Sequence, residues 1–525
     1  MDNYVVYHLH SDLSNGVTNV DSVTKFGEYI EAAKKLGMKA MAFSEHGNIF
    51  EWFHKKEAIE NAGMKYIHAV EAYITEDNNS DHKRTVYSAI DLFTSSTAKK
   101  DVRISFENYY KREDGMYLAK CIDDDKTYPI DPESIREEKV VKTRDNYHCV
   151  LIAKNHAGVR EINRLTSQSF CRIDSHFYYM PRIYLDDLLN TSDNVIVTSA
   201  CLGGILSKGA DEVKKRFLDF CIKNKHRCYL EIQHHNVEDQ KNYNKELYAL
   251  SRKYGIPLIA GTDTHALNDT HMEGRKILQL SKGVHFAEED AWDLTFKSFE
   301  TLCEAYKRQD SLPEEVWMEA IMNTNRMADC VETFELDRNT KYPKIYDHPL
   351  QTYKQKINQA YKVHPYVRKR YKSEEINPII RDEVDVYEKT KSIDFMLLQT
   401  YLREWETKHD IFCGYGRGSV SGSEVAYILG ITQMDSKKFG LNFFRFMNPS
   451  RVTNADIDTD YSSKDRDIIK QFILRDHMDL PNIRASEIIT FNTIALKGAI
   501  KDVGRALRMS IVETSAISEA VYLED

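Results

Sequence analysis

No stretch of this sequence is apolar for long enough to cross a bilayer, and its first residues, MDNYVVYHLHSD, lack the basic-then-apolar order of a secretion signal. A membrane partner is therefore not expected, and the chain reads as cytoplasmic. Its nine cysteines are scattered and include no CxxC pair, which argues against a disulfide framework and against a zinc ribbon. Positive charge is also in short supply: 72 basic against 81 acidic residues give a net charge of −9. That balance excludes a broadly basic nucleic-acid-binding surface but leaves room for local basic patches. At 525 residues, 42% of them hydrophobic and 29% charged, the chain is long enough for three or four globular domains.

What is present begins with βα alternation. Strand-like apolar runs occur at Tyr4–His8, Lys39–Phe43, Tyr66–Ile74, Cys149–Ala153, Val195–Thr198, Cys228–Ile232 and Pro257–Ala260. Helical periodicity fills most of the gaps, for example over Val23–Leu36, Arg160–Phe170 and Asp239–Tyr254. This order predicts a barrel-like parallel arrangement with its chemistry at the strand ends. Nearly every strand is followed by a residue type that ligates metals: His8 and His10, Glu45 and His46, Glu71, His148, Cys201, then Asp263 and His265. One such histidine is ordinarily a core or surface residue. The repetition, with two spaced pairs each able to face one side, points instead to a polynuclear Zn²⁺, Mn²⁺ or Fe site.

The stretch between Thr75 and Tyr147 is polar, with apolar residues scattered apart from Val86–Phe93. It is expected to be an elaborated loop or small subdomain, or else a partly disordered surface insert. Beyond Asn268 the pattern turns helical, over Gly274–Leu280, Ser298–Lys307 and Pro313–Cys330. A proline-containing boundary follows at Lys341–Pro349. Basic residues interleaved with tyrosines then run from Tyr361 to Lys372; Lys362, Arg368, Lys369 and Arg370 are candidate contacts to a nucleic-acid backbone. A long helix pair is expected over Ile379–His409.

Two further features lie within Cys413–Arg466. The first is a glycine- and serine-rich turn containing Gly416, Arg417, Gly418, Ser419, Gly422 and Ser423. Missing Cβ atoms let backbone approach a phosphate, the hydroxyls and guanidinium supply donors, and the helix beginning at Glu424 adds a favourable dipole. The second is Asp456-Ile-Asp458-Thr-Asp460. In an extended strand the three carboxylates share a face, where like charges repel unless cations lie between them. Two Mg²⁺ ions held by paired carboxylates are what in-line nucleotidyl transfer requires.

The runs GRGSVSGS, FRFMNPSRVTNADIDTDY and ITFNTIALKGAIKDVGRAL resemble the palm of the family C replicative DNA polymerases, the bacterial DNA polymerase III alpha type. The family has Pro where this chain has Ala455. The runs HLHSDLSNG, AFSEHGNIF, IHAVEAYIT, YHCVLIAKN, VTSACLGG and AGTDTHAL likewise resemble the PHP (polymerase and histidinol phosphatase) domain that opens those polymerases. The resemblance implies an α/β multidomain chain. A distorted (β/α) PHP barrel would span 1–268 with an insertion at 75–147, followed by a helical part of the palm or linker at 269–345. A thumb-like helical region at 346–410 and an incomplete polymerase-beta-like nucleotidyltransferase palm at 411–525 would complete it. It assigns the palm Mg²⁺ ions to Asp458 and Asp460, with Asp456 as a helper, and the PHP metals to His8, His10, His46, Glu71, His148, Cys201, Asp263 and His265. The remaining ligand position, an Asp in the family, falls on Asn15, with Asp12 the nearby substitute.

The implied function is template-directed addition of dNMP to a primer 3′ end during DNA replication, with a metal-dependent 3′–5′ exonuclease in the PHP domain. A split polymerase of bacterial or phage type is expected. A second polypeptide would then supply the third catalytic Asp, the fingers and the clamp-binding modules, and would make contact with the sliding clamp indirect. The alternatives are a stand-alone PHP phosphoesterase or exonuclease, and a non-catalytic scaffold half of a replisome.

Overall fold

The computed structural model describes residues 3–76, 84–90, 103–121, 126–141, 146–171, 176–284, 286, 289, 291–339, 341–450, 456–490 and 493–521. The chain divides into two compact units, Met1–Glu335 with Asn492–Asp525, and Leu336–Phe491. In chain order the strands are β1 (Ala40–Phe43), β2 (Lys65–Thr75), β3 (Arg84–Ile90), β4 (Arg103–Lys111), β5 (Tyr117–Cys121), β6 (Thr127–Ile130), β7 (Arg136–Val141), β8 (Tyr147–Ala153), β9 (Phe177–Tyr178), β10 (Met180–Tyr184), β11 (Val195–Thr198), β12 (Cys228–Ile232) and β13 (Leu258–Ala260).

The first unit is built on an eight-stranded sheet in the order β13-β12-β11-β8-β2-β10-β9, with β1 also paired to β2. β1 and β10 lie parallel along opposite ends of β2, and β11, β12 and β13 are parallel neighbours. β9 pairs antiparallel with β10, and among the expected strands one departs from the parallel order: β8 runs antiparallel to both β2 and β11. The connection explains the reversal. Among the described residues no crossover α-helix separates β2 from β8, and adjacent strands joined without a crossover pair antiparallel. The predicted first strand, Tyr4–His8, is present as isolated bridges of Val6 to Met41 and Leu9 to Thr264, so the N-terminal segment ties β1 to the chain just past β13.

Helices cover this sheet with one apolar face each. Phe26–Lys35 buries Tyr29, Ile30 and Ala33. His156–Ser169 begins where the Asn155 side chain accepts from Ala157 and Gly158 N–H, and it buries Val159, Ile162 and Leu165. The core between the layers includes fully buried Leu151, Val197, Phe217 and Leu230.

Of the alternatives expected for residues 75–147, the described part takes the form of a small subdomain. It holds a five-stranded antiparallel sheet, β6-β5-β4-β3-β7. It has its own small core of Ala89, Ile104, Phe106, Ala119, Cys121 and Ile130. The scattered apolar residues meet across strands, Ala89 opposite Ile104 and Phe106 opposite Cys121. Period-2 alternation in short strands separated by polar turns is easily read as a polar loop.

The second unit packs the helices Pro349–Val363, Ser373–Lys389 and Ile393–Lys408 around Tyr353, Tyr387, Met396 and Leu397, with Val420, Val425 and Ala426 sealing the same core. Among its described residues there is no strand. The stretch expected as palm, 411–525, is divided: the helices Leu496–Ala506 and Ile511–Ala520 fall in the first unit. There Arg505 Nη1 donates to the Ser281 carbonyl, at the end of the helix Asp269–Ser281, at 3.3 Å. No helix among the described residues is long and apolar enough to cross a membrane.

Candidate metal centre and carboxylate loop

The ends of β1, β2, β8, β11 and β13, with the N-terminal segment, deliver their polar side chains to one place. Three groups of ligand atoms, each within 4.8 Å of one another, overlap there: His8, His10, Glu71 and Asp263; His10, Asp21, His46 and His265; and His46, Glu71 and His148. Cys201 Sγ lies beside the last, 3.4 Å from His148 Nδ1 and 3.8 Å from Glu71 Oε1. The eight matching positions read from the sequence are thus gathered at one site. A cavity of about 890 Å³ opens onto it, lined in part by Asp21, His46, Tyr73, His148, Cys201 and Asp263.

Asn15 takes no part in this cluster. Its side-chain oxygen accepts from the Asp21 and Ser22 backbone N–H at 2.5 and 3.2 Å, and its amide donates to the Ser22 carbonyl at 2.6 Å. It braces a loop, and the loop presents Asp21. Asp21 Oδ1 stands 3.4 Å from both His46 Nε2 and His265 Nε2. Asp12, the substitute considered from sequence, is in none of the three groups. Asp21 went unnoticed because it has no His, Glu or Asp partner at short spacing and follows no strand. The one available signal was an acid six residues after an Asn where an acid was expected.

Several buried polar atoms here have no hydrogen-bond partner: His8 Nε2, His10 Nε2, Asp21 Oδ2, His46 Nδ1, Glu71 Oε2 and Asp263 Oδ1. Unpaired buried donors and acceptors are costly, and their convergence in a mixed imidazole and carboxylate set fits divalent transition cations. The charge pattern agrees. Burial would raise Glu71, but His148, His8 and His46 hold it well below the usual carboxylate range. Burial would likewise raise Asp21, and His46 and His265 outweigh that. His10, buried and beside His46 and His265, is lowered to about 4 and so is neutral. Burial would also lower His8, His46 and His265, but the surrounding carboxylates outweigh it and raise them; bound cations would take the place of those protons.

In the second unit, the glycine-rich turn and the aspartate segment lie side by side. Cys413 bridges Tyr461 and Arg417 bridges Asp458, both antiparallel, and Gly414 N–H donates to the Asp460 carbonyl at 2.8 Å. Gly416 (φ +109°) and Gly418 (φ +79°) take left-handed backbone that other residues adopt only under strain. A Cβ on Gly418 would also stand 3.3 Å from Asp458 Oδ2. Arg417 reaches both carboxylates, with Nε 3.5 Å from Asp458 Oδ2 and Nη1 3.6 Å from Asp460 Oδ1. Asp456, Asp458 and Asp460 are exposed, and they do not lie in a regular strand. Tyr461 anchors the segment: its hydroxyl accepts from Arg403 Nη2 at 2.6 Å and donates to Glu406 Oε1 at 2.5 Å. Among the described residues no three ligand atoms converge here as they do in the first unit.

The turn's other residues have divided roles. Ser419 and Arg417 remain partly or largely open to solvent. Ser423 is buried and committed elsewhere. Its hydroxyl caps Ala426 N–H at 2.9 Å, donates to Glu383 Oε2 at 2.7 Å and meets Tyr387 OH at 2.7 Å. The N-terminus of the short helix Glu424–Ile428, expected to face phosphate, is filled by the Glu383 carboxylate, which accepts from Glu424 and Val425 N–H at 2.8 and 3.0 Å. In the basic run, Arg370 is paired with Asp435, to which Tyr371 OH also donates at 2.9 Å. Arg368 donates to the Lys362 carbonyl at 3.1 Å, and Lys362, Arg368 and Lys369 are exposed.

Comparison with known proteins bears on both units. Residues 7–235 match the family model for the PHP domain, and residues 350–525 match that for the bacterial DNA polymerase III alpha NTPase domain. A DNA polymerase III subunit alpha from Borreliella burgdorferi is 28% identical over 534 aligned residues, covering 99% of this chain and 40% of that protein. One from Aquifex aeolicus is 28% identical, covering 96% of this chain and 40% of that protein. One from Treponema pallidum is 26% identical, covering 98% and 39%. The chain therefore spans about 40% of the length of these relatives.

Proposed function

We propose that the chain is a DNA polymerase III alpha-like member of the family C polymerases and takes part in DNA replication by adding dNMP to a primer 3′ end. The observation that carries this reading is the pairing of the Gly414–Gly418 turn with the Asp458–Tyr461 segment, which sets two carboxylates against a phosphate-compatible backbone. Asp458 and Asp460 would hold two Mg²⁺ ions, with Asp456 assisting. Bound there, the ions would supply activation of the attacking oxygen and charge stabilisation at the leaving group.

This chain's own part is then positional. Arg417, shared by the two carboxylates, would supply a guanidinium to the triphosphate oxygens. Gly418, beside Asp458, leaves room for the phosphates and Ser419 offers a hydroxyl, whereas Gly416 and Gly422 make room for the Thr432 side chain and the Asn442 carbonyl. Ser423 acts behind them, fixing the turn to the helix core. Primer–template DNA and dNTPs are the substrates. Lys362, Arg368 and Lys369 meet the DNA backbone, whereas Arg370 organises the run through Asp435. A second polypeptide carrying the third carboxylate, the fingers and the clamp-binding modules is the partner this reading expects.

The first unit supports a second activity, a metal-dependent 3′–5′ exonuclease. Its Zn²⁺, Mn²⁺ or Fe ions would be held by His8, His10, Asp21, His46, Glu71, His148, Cys201, Asp263 and His265, and would supply an activated water and charge stabilisation for phosphodiester hydrolysis. Here the partnerless buried ligand atoms are the favouring observation.

A labelled primer–template incubated with the chain, dNTPs and Mg²⁺ or Mn²⁺ tests both, with and without the remainder of a relative's alpha subunit. Lengthening is expected with that remainder and is lost at least 10²-fold in Asp458→Asn. Shortening is expected without it, lost in His46→Ala and retained in Asp458→Asn. Lengthening that survives Asp458→Asn would overturn the first assignment, and shortening that survives His46→Ala the second.

A further inference from the structure

We propose that Glu231, which belongs to none of the three ligand groups, is the positioning residue that sets His8 as a metal ligand; this rests on reading the cluster as a metal centre. Glu231 projects from β12 beneath the cluster and is fully buried. Its Oε1 meets His8 Nδ1 at 2.6 Å and accepts from Gln233 Nε2 at 2.8 Å. Its Oε2 accepts from Tyr7 OH at 2.8 Å and Thr198 Oγ1 at 3.0 Å. Four partners thus fix the carboxylate, and His8 is the one among them able to carry positive charge. Gly261 makes the space: a Cβ there would fall 2.0 Å from Glu231 Oε1.

The consequence falls on the other side of the ring. With Nδ1 committed to Glu231, Nε2 is the nitrogen left to ligate. It points between Glu71 Oε1 at 3.2 Å and Asp263 Oδ1 at 3.3 Å, with no hydrogen-bond partner of its own. The neighbouring rings are held more weakly from behind. His10 Nδ1 meets the Ser14 hydroxyl at 3.3 Å, and His265 Nδ1 meets the Asp263 backbone carbonyl at 2.8 Å. A carboxylate behind a ligating imidazole fixes its tautomer and raises its basicity, and losing one typically costs 10- to 100-fold in metal affinity.

The test is Mn²⁺ affinity of the full chain by chelator competition, with Tm measured in chelator and in excess Mn²⁺. Glu231→Gln preserves shape while removing the charge. It is expected to weaken Mn²⁺ binding about 10-fold or more and to shrink the metal-induced rise in Tm. The same substitution in a His8→Ala background is expected to have no further effect on affinity. Unchanged affinity in Glu231→Gln, or an equal loss in the His8→Ala background, overturns the proposal. A wild-type chain that binds neither Mn²⁺ nor Zn²⁺ overturns the metal-centre reading itself. A second measurement stands even if the variant fails to fold: with Zn²⁺ bound to the wild type, ¹⁵N shifts should show His8 protonated at Nδ1 and coordinated at Nε2. The reverse assignment would overturn the proposal.

Discussion

The Asp21 carboxylate sits between His46 and His265, and the loop that carries it is held by the Asn15 side chain. On the metal-centre reading, two nearby polar residues have separable roles, Asp21 as a ligand and Asn15 as a brace. Asp21→Asn removes the anion that offsets two imidazoles, so metal bound per chain, measured by elemental analysis, should fall by about one ion. Asn15→Ala removes three hydrogen bonds to backbone. It should lower stability by about 1–3 kcal/mol in denaturant unfolding while leaving the ligands themselves intact. If Asn15→Ala loses metal and Asp21→Asn does not, the roles are reversed. The His-x-His and Asp-x-His pairs were legible in the sequence because each lies within one strand end. Asp21 was not, because only the loop's path brings it to His46.

Elements decide the next level, and the helix Glu424–Ile428 shows how. It is too short to stand alone, and Glu383, from a neighbouring helix, supplies the acceptors its first N–H groups need. Burial pushes the Glu383 carboxyl up to about 7, against the opposing pull of the Ser423 hydroxyl and the Val425 and Glu424 N–H groups. A carboxyl raised in the folded state favours the fold most when protonated. Its contribution is complete below about pH 4.5 and is lost as pH rises toward 7. The difference should reach about 3 kcal/mol and stay level above that. Glu383→Gln should flatten this segment of the stability–pH curve; a curve unchanged in shape between pH 4.5 and 7 would count against it. Sequence showed the Gly/Ser turn and the helix after it. It could not show that the helix N-terminus is already filled, since Glu383 lies forty residues earlier.

At the scale of the whole molecule, the first unit's main sheet and the small sheet of residues 84–141 have separate cores. The ends of β2 and β8 are already paired, Ile74 opposite Tyr147, so the gap between them needs only a tight turn. Replacing residues 77–145 with a two- to four-residue turn should leave the chain folded and its metal content unchanged, checked by circular dichroism and elemental analysis. Collapse of the main sheet would show that the inserted sheet is required for folding.

The sequence by itself determined the βα order, the ligand types at the strand ends, the helix pair before the glycine turn, and the pairing of that turn with Asp-x-Asp chemistry. These are local patterns: periodicity and spacing within one element carry them. Only the tertiary structure decided that β8 runs antiparallel, that Asp21 rather than Asn15 meets the histidines, and that Ser423 and Arg370 face protein partners. It alone also joined residues 496–520 to the first unit. Each of those outcomes depends on contacts between residues far apart in the chain, where side-chain geometry and burial choose among partners that a linear pattern leaves equivalent.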